Sequence, residues 1–448
     1  MASSLKHFLF GISILLFSGI TYSQSIPDTT FNNLIRTENG GWVAGDATFS
    51  IALPDGRTLW LFGDSFIGTV NPDSSLVSGA QMIRNCAIIQ SGDTMTALYQ
   101  GTFDNPIDFL ETNTPDSTWF WPEHGIVENG NLKIFFSEFG TGEGQPGWNF
   151  EYRNTVVAIF TYPDIGSLGY IELPYYQQNE VMYGDRIIES GDYNYIFGRK
   201  EEGNPDWHIP YIHLARVPIG NLMGDWEFYD GSNWTNDPLT SLRITDHPVS
   251  QQYGVFYHES KYVLISQQIW LGTQIYSLTS QELEGPWENE VLLYDTPLPF
   301  DDMLTYNAYP HPQFDENNEL LISYNSNGSF WEIFNNVELY RPRFIRVPYT
   351  MIDSSFTLTG TEEAAISSKA ELKCFPNPAT STILFSLNTD LKSGTHLNIY
   401  NFQGKLVLKQ EIDNSENSNK TIQLDISSLP KGIYIYMINE IQGKFIHN

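Results

Sequence analysis

The stretch GDATFSIALPDGRTLWLFGDS, Gly45 to Ser65, decides the fold. An apolar run, Phe49–Leu53, reaches the turn Pro54-Asp55-Gly56, and a stronger run, Leu59–Phe62, follows it. Pro-Asp-Gly is β-turn chemistry, so the stretch reads as an antiparallel hairpin. Four more segments align with it: PEHGIVENGNLKIFFSE from Pro122, GDRIIESGDYNYIFGRK from Gly184, QQYGVFYHESKYVLISQQ from Gln251 and PHPQFDENNELLISYNS from Pro310. Their turns are ENGN, SGD, HES and DENN. With Asp46, Glu123, Asp185, Gln252 and His311 as phase markers, the mean spacing is about 66 residues, the length of one four-stranded unit. β-branched and aromatic content argues for strands, and no amphipathic helix of useful length is visible. The expectation is an all-β chain whose larger part is a five-bladed β-propeller; a β-sandwich with accidental repeats is the alternative.

Composition narrows the function. The 448 residues carry 23 Lys+Arg against 53 Asp+Glu, a net charge of −30. That excludes the basic surfaces needed for nucleic acids or anionic membranes. Two cysteines, Cys86 and Cys374, give neither a disulfide framework nor zinc spacing. Lys6 and His7 precede the apolar run Phe8–Phe17, and small residues lead to Gln24, so residues 1–23 read as a signal peptide. The run is too short to span a membrane, and no later segment is apolar enough. The expected organisation is a propeller over 24–350, a small polar linker over 351–371 and a C-terminal unit over 372–448. From Glu371 onward seven lysines balance seven acids, so the whole net charge belongs to the larger part.

Symmetry places the polar residues. Positions equidistant from a hairpin turn lie side by side. This predicts the pairs Asp46/Asp64, Glu123/Glu138, Asp185/Arg199 and His311/Asn325 at one rim of the leading strands, around a concave funnel. Crowded, half-buried carboxylates split into protonated and ionised members near neutral pH, as glycoside hydrolysis requires. The catalytic candidates are therefore Asp46, Asp64, Glu123 and Asp185. Arg199 and Arg186 would orient carboxylates. Trp121 and Tyr309, with Trp42, Trp119, Trp148, Trp207, Trp270, Tyr306 and Trp331, would supply flat platforms for sugars or pack between blades. His311, in YPHPQF, reads as a core histidine, a substrate contact or a ligand to a hydrated cation. No HExxH, GxSxG, GxGxxG or P-loop is present.

The repeat, with its FGDS and YNAYPHPQF…LLISYN segments, resembles the five-bladed glycosidases of the arabinanase type, closest to the domain of unknown function 4185 group. The resemblance spans about residues 30–350. It implies acids from several blades in one funnel, here Asp46, Asp64, Glu123 and Asp185, with anomeric inversion. Arg199, Trp121, Tyr309, His311 and Asn325, from the rim pairs and the ring platforms above, are the candidate substrate contacts. His311 stands where such proteins hold a calcium or sodium ion in the central channel; no cofactor is otherwise required. Gln252 and Gln267 stand where an acid is expected in the fourth blade. The tail segments CFPNPATSTILFSL, LNIYNFQGKLVLKQEI and IQLDISSLPKGIYIYMI resemble the type A C-terminal sorting domain of the type IX secretion system, a small β-sandwich. That implies a Bacteroidetes-type cell, the type IX machinery as partner, and a secreted or surface location. The function expected is a secreted hydrolase of a polysaccharide such as arabinan, acting as a monomer. A non-catalytic glycan-binding propeller is the alternative; a sialidase lacks its SxDxGxxW boxes here.

Overall fold

The computed structural model describes residues 24–37, 39–143, 149–204, 207–300 and 303–356, then 372–375, 377, 379–387, 396–401, 405–411, 421–438 and 441–447. The signal peptide and most of the linker expected from the sequence lie outside these residues. The chain divides into two compact units, 1–358 and 359–448.

Five antiparallel sheets of four or five strands build the larger unit. The first runs Phe49–Ala52, Thr58–Phe62, Cys86–Ser91 and Thr94–Leu98. The second starts with the hairpin Thr118–Glu128 and Asn131–Thr141, the third with Met182–Ser190 and Tyr193–Asn204. Gly254–His258 and Lys261–Gln267 open the fourth, Leu304–Pro310 and Glu319–Asn327 the fifth. The five hairpins quoted from the sequence thus fall on the two leading strands of the five sheets. The fifth sheet is completed by Arg343–Pro348 and by a strand from the start of the chain, Ile26–Pro27. Helices are short among the described residues, and none is long and apolar enough to cross a membrane.

The central strands are buried on both faces, and the two-residue period sends alternate side chains to different neighbours. Leu59 and Leu61 join a core with Ile134 and Phe136 of the second sheet, whereas Trp60 and Phe62 join Leu321 and Phe344 of the fifth. Phe135 packs on Ile187 and Ile196 of the third sheet. Phe197 then packs on Val255 and Leu264 of the fourth. Val263 and Ile265 meet Leu320 and Ile322 of the fifth. Each sheet therefore packs on two others, and the fifth packs back on the first. Each fully buried Leu, Ile or Phe contributes ~1.5–3 kcal/mol. A cavity of about 450 Å³ is lined by Ser50, His124, Arg186, Phe256 and Gln313, drawn from the leading strands of four sheets and the segment after that of the fifth.

A departure from the simple repeat occurs in the first sheet. The strands flanking it continue into a second, three-stranded sheet of Asn39–Gly45, Ser65–Thr69 and Gln81–Ile83. The chain turns between the two sheets at Ala47 and Thr48, with φ of 68° and 58°. Asp46 and Asp64 lie at this corner, where the Asp46 amide donates to the Asp64 carbonyl at 3.3 Å.

Ile352 and Phe356 are buried in the larger unit's core, within the segment expected as linker. The smaller unit holds a three-stranded and a four-stranded sheet around Ile383, Phe385, Leu397, Ile399, Tyr436 and Phe445. Both cysteines are free.

Candidate active site

Asp46 and Asp64 form the first acidic pair, and each follows a glycine. A Cβ on Gly63 would lie 2.6 Å from Asp46 Oδ1, so glycine there leaves the Asp46 carboxylate its position. Their carboxylates turn to opposite neighbours. Tyr306, from the fifth sheet, donates to Asp46 Oδ2 at 2.7 Å, and Tyr340 adds a second hydrogen bond. Trp121, from the second sheet, donates its Nε1–H to Asp64 Oδ1 at 2.9 Å, and Arg84 lies 3.1 Å from Asp64 Oδ2. The Arg84 guanidinium also stacks 4.5 Å from the Trp119 ring. Burial, then the neighbouring Asp64 charge, pushes Asp46 up to about 7, against the two tyrosine donors. Burial raises Asp64 as well, but the Arg84 charge and the Trp121 donor oppose it. Burial thus raises both acids of the pair, and they differ in their partners: Asp46 faces two tyrosine hydroxyls, Asp64 a cation and an indole N–H.

Glu123, Asp185 and Arg199 form a second, deeper cluster. Arg199 bridges the two acids: Nη1 is paired with Asp185 and Nη2 lies 3.6 Å from Glu123 Oε1. Ser137 donates to Glu123 at 2.7 Å, and Gln251 accepts from Arg199 Nε at 3.1 Å. Burial raises both acids against the pull of Arg199. One guanidinium offsets at most one of the two negative charges. Asp185 is fully buried and Glu123 is 5% exposed. Asp185 is reached through the bulge at Gly184, whose φ is 125° and whose Cβ would sit 2.5 Å from Phe135.

The simple hairpin symmetry is corrected in three sheets; in the third, the bulge between Tyr183 and Arg186 puts Arg199 opposite Met182, though its side chain still pairs with Asp185. The bulge between Pro122 and Gly125 puts Glu138 opposite Phe120, not opposite Glu123; Glu138 bonds to Thr118 instead and stays out of the cluster. The bulge between Tyr306 and Tyr309 puts Asn325 opposite Tyr306. Asn325 then accepts from Thr48 at 2.7 Å, while His311 pairs by its backbone with Leu321. His311 is fully buried between Ser50 and Ser323, at 2.6 and 2.8 Å from its two ring nitrogens. Tyr309 is likewise buried, with its hydroxyl 3.3 Å from Arg186. Trp42 is core. Trp331 and Trp270 are exposed, at 75% and 58%. Trp148 and the Trp207 side chain lie outside the described residues. The Gly- and Pro-containing stretch 200–210, which reads as a loop in sequence, is largely strand, continuing the third sheet's hairpin. In the fourth sheet, Gln252 bonds the Ala47 carbonyl and Gln267 bonds Thr305.

The residues do not fit the central cation that the arabinanase resemblance implies. Both His311 nitrogens already have hydroxyl partners, and the Arg186 guanidinium lines the axial cavity. Among the described residues no group of three His, Cys, Asp or Glu could hold a metal ion.

Residues 28–360, about three quarters of the chain, match the family described as domain of unknown function DUF5005, and the chain belongs to that family. The segments quoted above had pointed to the 4185 group instead. Residues 373–448 match the secretion system C-terminal sorting domain, which marks the chain for type IX export to the cell surface or beyond. No curated protein is significantly similar in sequence. Among solved structures, a Bacteroides ovatus protein provisionally assigned as a hydrolase is 20% identical, with TM-score 0.62, over 73% of this chain and 92% of its own. A Bacillus subtilis glycoside hydrolase family 43 arabinoxylan arabinofuranohydrolase is 13% identical, with TM-score 0.41, over 90% of this chain and 94% of its own. The Bombyx mori GH32 β-fructofuranosidase BmSUC1 is 13% identical, with TM-score 0.39, over 91% of this chain and 86% of its own. The first shares this chain's fold; the other two resemble it too loosely to bear on function.

Proposed function

We propose that the five sheets are the blades of a closed five-bladed β-propeller, and that the exported protein is a glycoside hydrolase working through Asp46 and Asp64. The blade reading rests on the cyclic packing of the sheets and on the axial cavity their leading strands surround. The observation that carries the enzymatic reading is the divergent pair: adjacent acids, one raised to about 7, the other held by Arg84 and Trp121.

In this reading Asp46 gives its proton to the glycosidic oxygen as the C–O bond breaks. Asp64 takes a proton from the water that attacks the anomeric carbon. The carboxylates point toward opposite blades, which supports room for a water between them and inversion at the anomeric centre. Glu123, Asp185 and Arg199 position the mouth from behind. Asp185, fully buried, acts through Arg199 rather than on substrate. A furanoside polymer such as arabinan is the substrate class the motif resemblance favours.

The test is incubation of the full chain with plant, algal and mycobacterial polysaccharides while new reducing ends are followed. Cleavage of one polymer, abolished in Asp46→Asn and Asp64→Asn with binding retained, supports the reading. Binding of a polymer without cleavage by the unmodified chain would replace it with a glycan-binding propeller.

A further inference from the structure

The axial cavity is lined by a cation that makes no direct ion pair among the described residues. Arg186 lines it, and its Nη1 donates to His124 Nε2 at 2.6 Å and to the Tyr309 hydroxyl at 3.3 Å. Both acceptors are neutral: burial and the adjacent guanidinium hold His124 well below the usual histidine range. Arg186 Nε has no hydrogen-bond partner, and no carboxylate lies within ion-pair distance of Arg186 among the described residues. The nearest acid cluster, Glu123 and Asp185, is already bridged by Arg199. Other polar groups on the cavity wall are the exposed Glu189 carboxylate and the Ser50 hydroxyl and Gln313 amide, which hydrogen-bond each other at 2.6 Å. Arg186 is half-buried with its Nε sealed and unpartnered, and desolvating part of a charge among neutral partners is costly unless an opposite charge joins it.

We infer that the axial cavity binds a compact monovalent anion of the chloride type on Arg186, in place of the central metal cation. One guanidinium balances one negative charge; a divalent anion would leave excess charge beside Glu189 on the same wall. The inference does not depend on the hydrolytic reading.

The test is the melting temperature of the full chain at constant ionic strength, with chloride replacing the bulky sulfonate anion of a morpholine buffer. A site filled to ten times its Kd predicts a saturable rise of ~3 °C. Arg186→Met should abolish the rise. Bromide-soaked crystals of the unmodified chain should show an anomalous peak within hydrogen-bond reach of the guanidinium, and this readout stands even if the variant does not fold. Three results would overturn the inference: no anion-specific rise, a rise that survives Arg186→Met, or a rise produced by calcium and reversed by a chelator. A bromide soak with no peak at Arg186 would do the same.

Discussion

Replacing Arg84 by Met keeps the side chain's bulk over Trp119 and removes the charge beside Asp64. The guanidinium nitrogen lies 3.1 Å from Asp64 Oδ2, with Arg84 39% and Asp64 18% exposed at the side chain. Two unit charges about 4 Å apart interact by ~4 kcal/mol at an effective dielectric of ~20 and by ~1 kcal/mol in bulk water. The exposure of Arg84 places the pair between these limits, at ~1–3 kcal/mol, which is ~1–2 pH units. Losing the cation disfavours the ionised form, so the Asp64 pKa rises. In the pH profile of kcat/KM the alkaline limb reports proton loss from Asp46, near pH 7. The acid limb reports Asp64, and in Arg84→Met it moves up by ~1–2 units while the alkaline limb stays within a few tenths. A uniform loss of kcat/KM with both limbs unmoved would refute the assignment of Arg84 as the group that keeps Asp64 ionised.

Other outcomes follow from the same geometry. Arg199→Met leaves Glu123 and Asp185 buried without their cation and should lower stability by ~3–5 kcal/mol in urea unfolding; adding Glu123→Gln and Asp185→Asn should restore part of the loss. Asp46→Asn should raise the melting temperature at pH 8 by ~2–5 °C, by less than half as much at pH 5, and change it little only below pH 4. A folded pKa of about 7, raised from 3.8, means the stabilising contribution is full below the unfolded pKa and is lost progressively as pH rises from 3.8 through 7. Gly184→Ala forces a side chain into a φ of 125° against Phe135 and should cost ~2–5 kcal/mol, measured the same way. Deleting residues 359–448 should keep the protein inside the outer membrane, scored by immunoblot of medium and cell fractions.

Much of the architecture was legible because turn chemistry is local. Asp55-Gly56 and Asn129-Gly130 announce their hairpins within a few residues, and the glycines before Asp46, Asp64 and Asp185 mark places where strands or rings crowd the backbone. The mispaired residues failed for two reasons. In the second sheet a bulge adds a residue to one strand and shifts everything beyond it, so counting outward from the turn works up to Gly125 and fails at Glu123. In the fifth sheet the hairpin turns before Asn318, so Tyr309 faces Ser323 and His311 faces Leu321, well short of Asn325. Arg84 ends an apolar run in QMIRNC and carries no local signal. Its partners Asp64 and Trp119 come from other strands, and only packing reveals the contact. Tyr340 approaches Asp46 from a 3-10 turn, Val337–Tyr340, nearly three hundred residues away in sequence. His311 was placed at the rim by hairpin symmetry, with a core histidine among its readings, and the closure of the fifth sheet on the first seals it between serines.

The most direct test of the site is to titrate its acids by 13C NMR of aspartate-labelled protein, which needs no substrate. One carboxyl resonance, absent from Asp46→Asn, should titrate near pH 7 and shift to lower pH in Asp64→Asn. If every resonance that disappears in Asp46→Asn titrates below pH 5, the mouth holds no carboxylic acid at neutral pH, and the proposed division of labour between Asp46 and Asp64 is wrong.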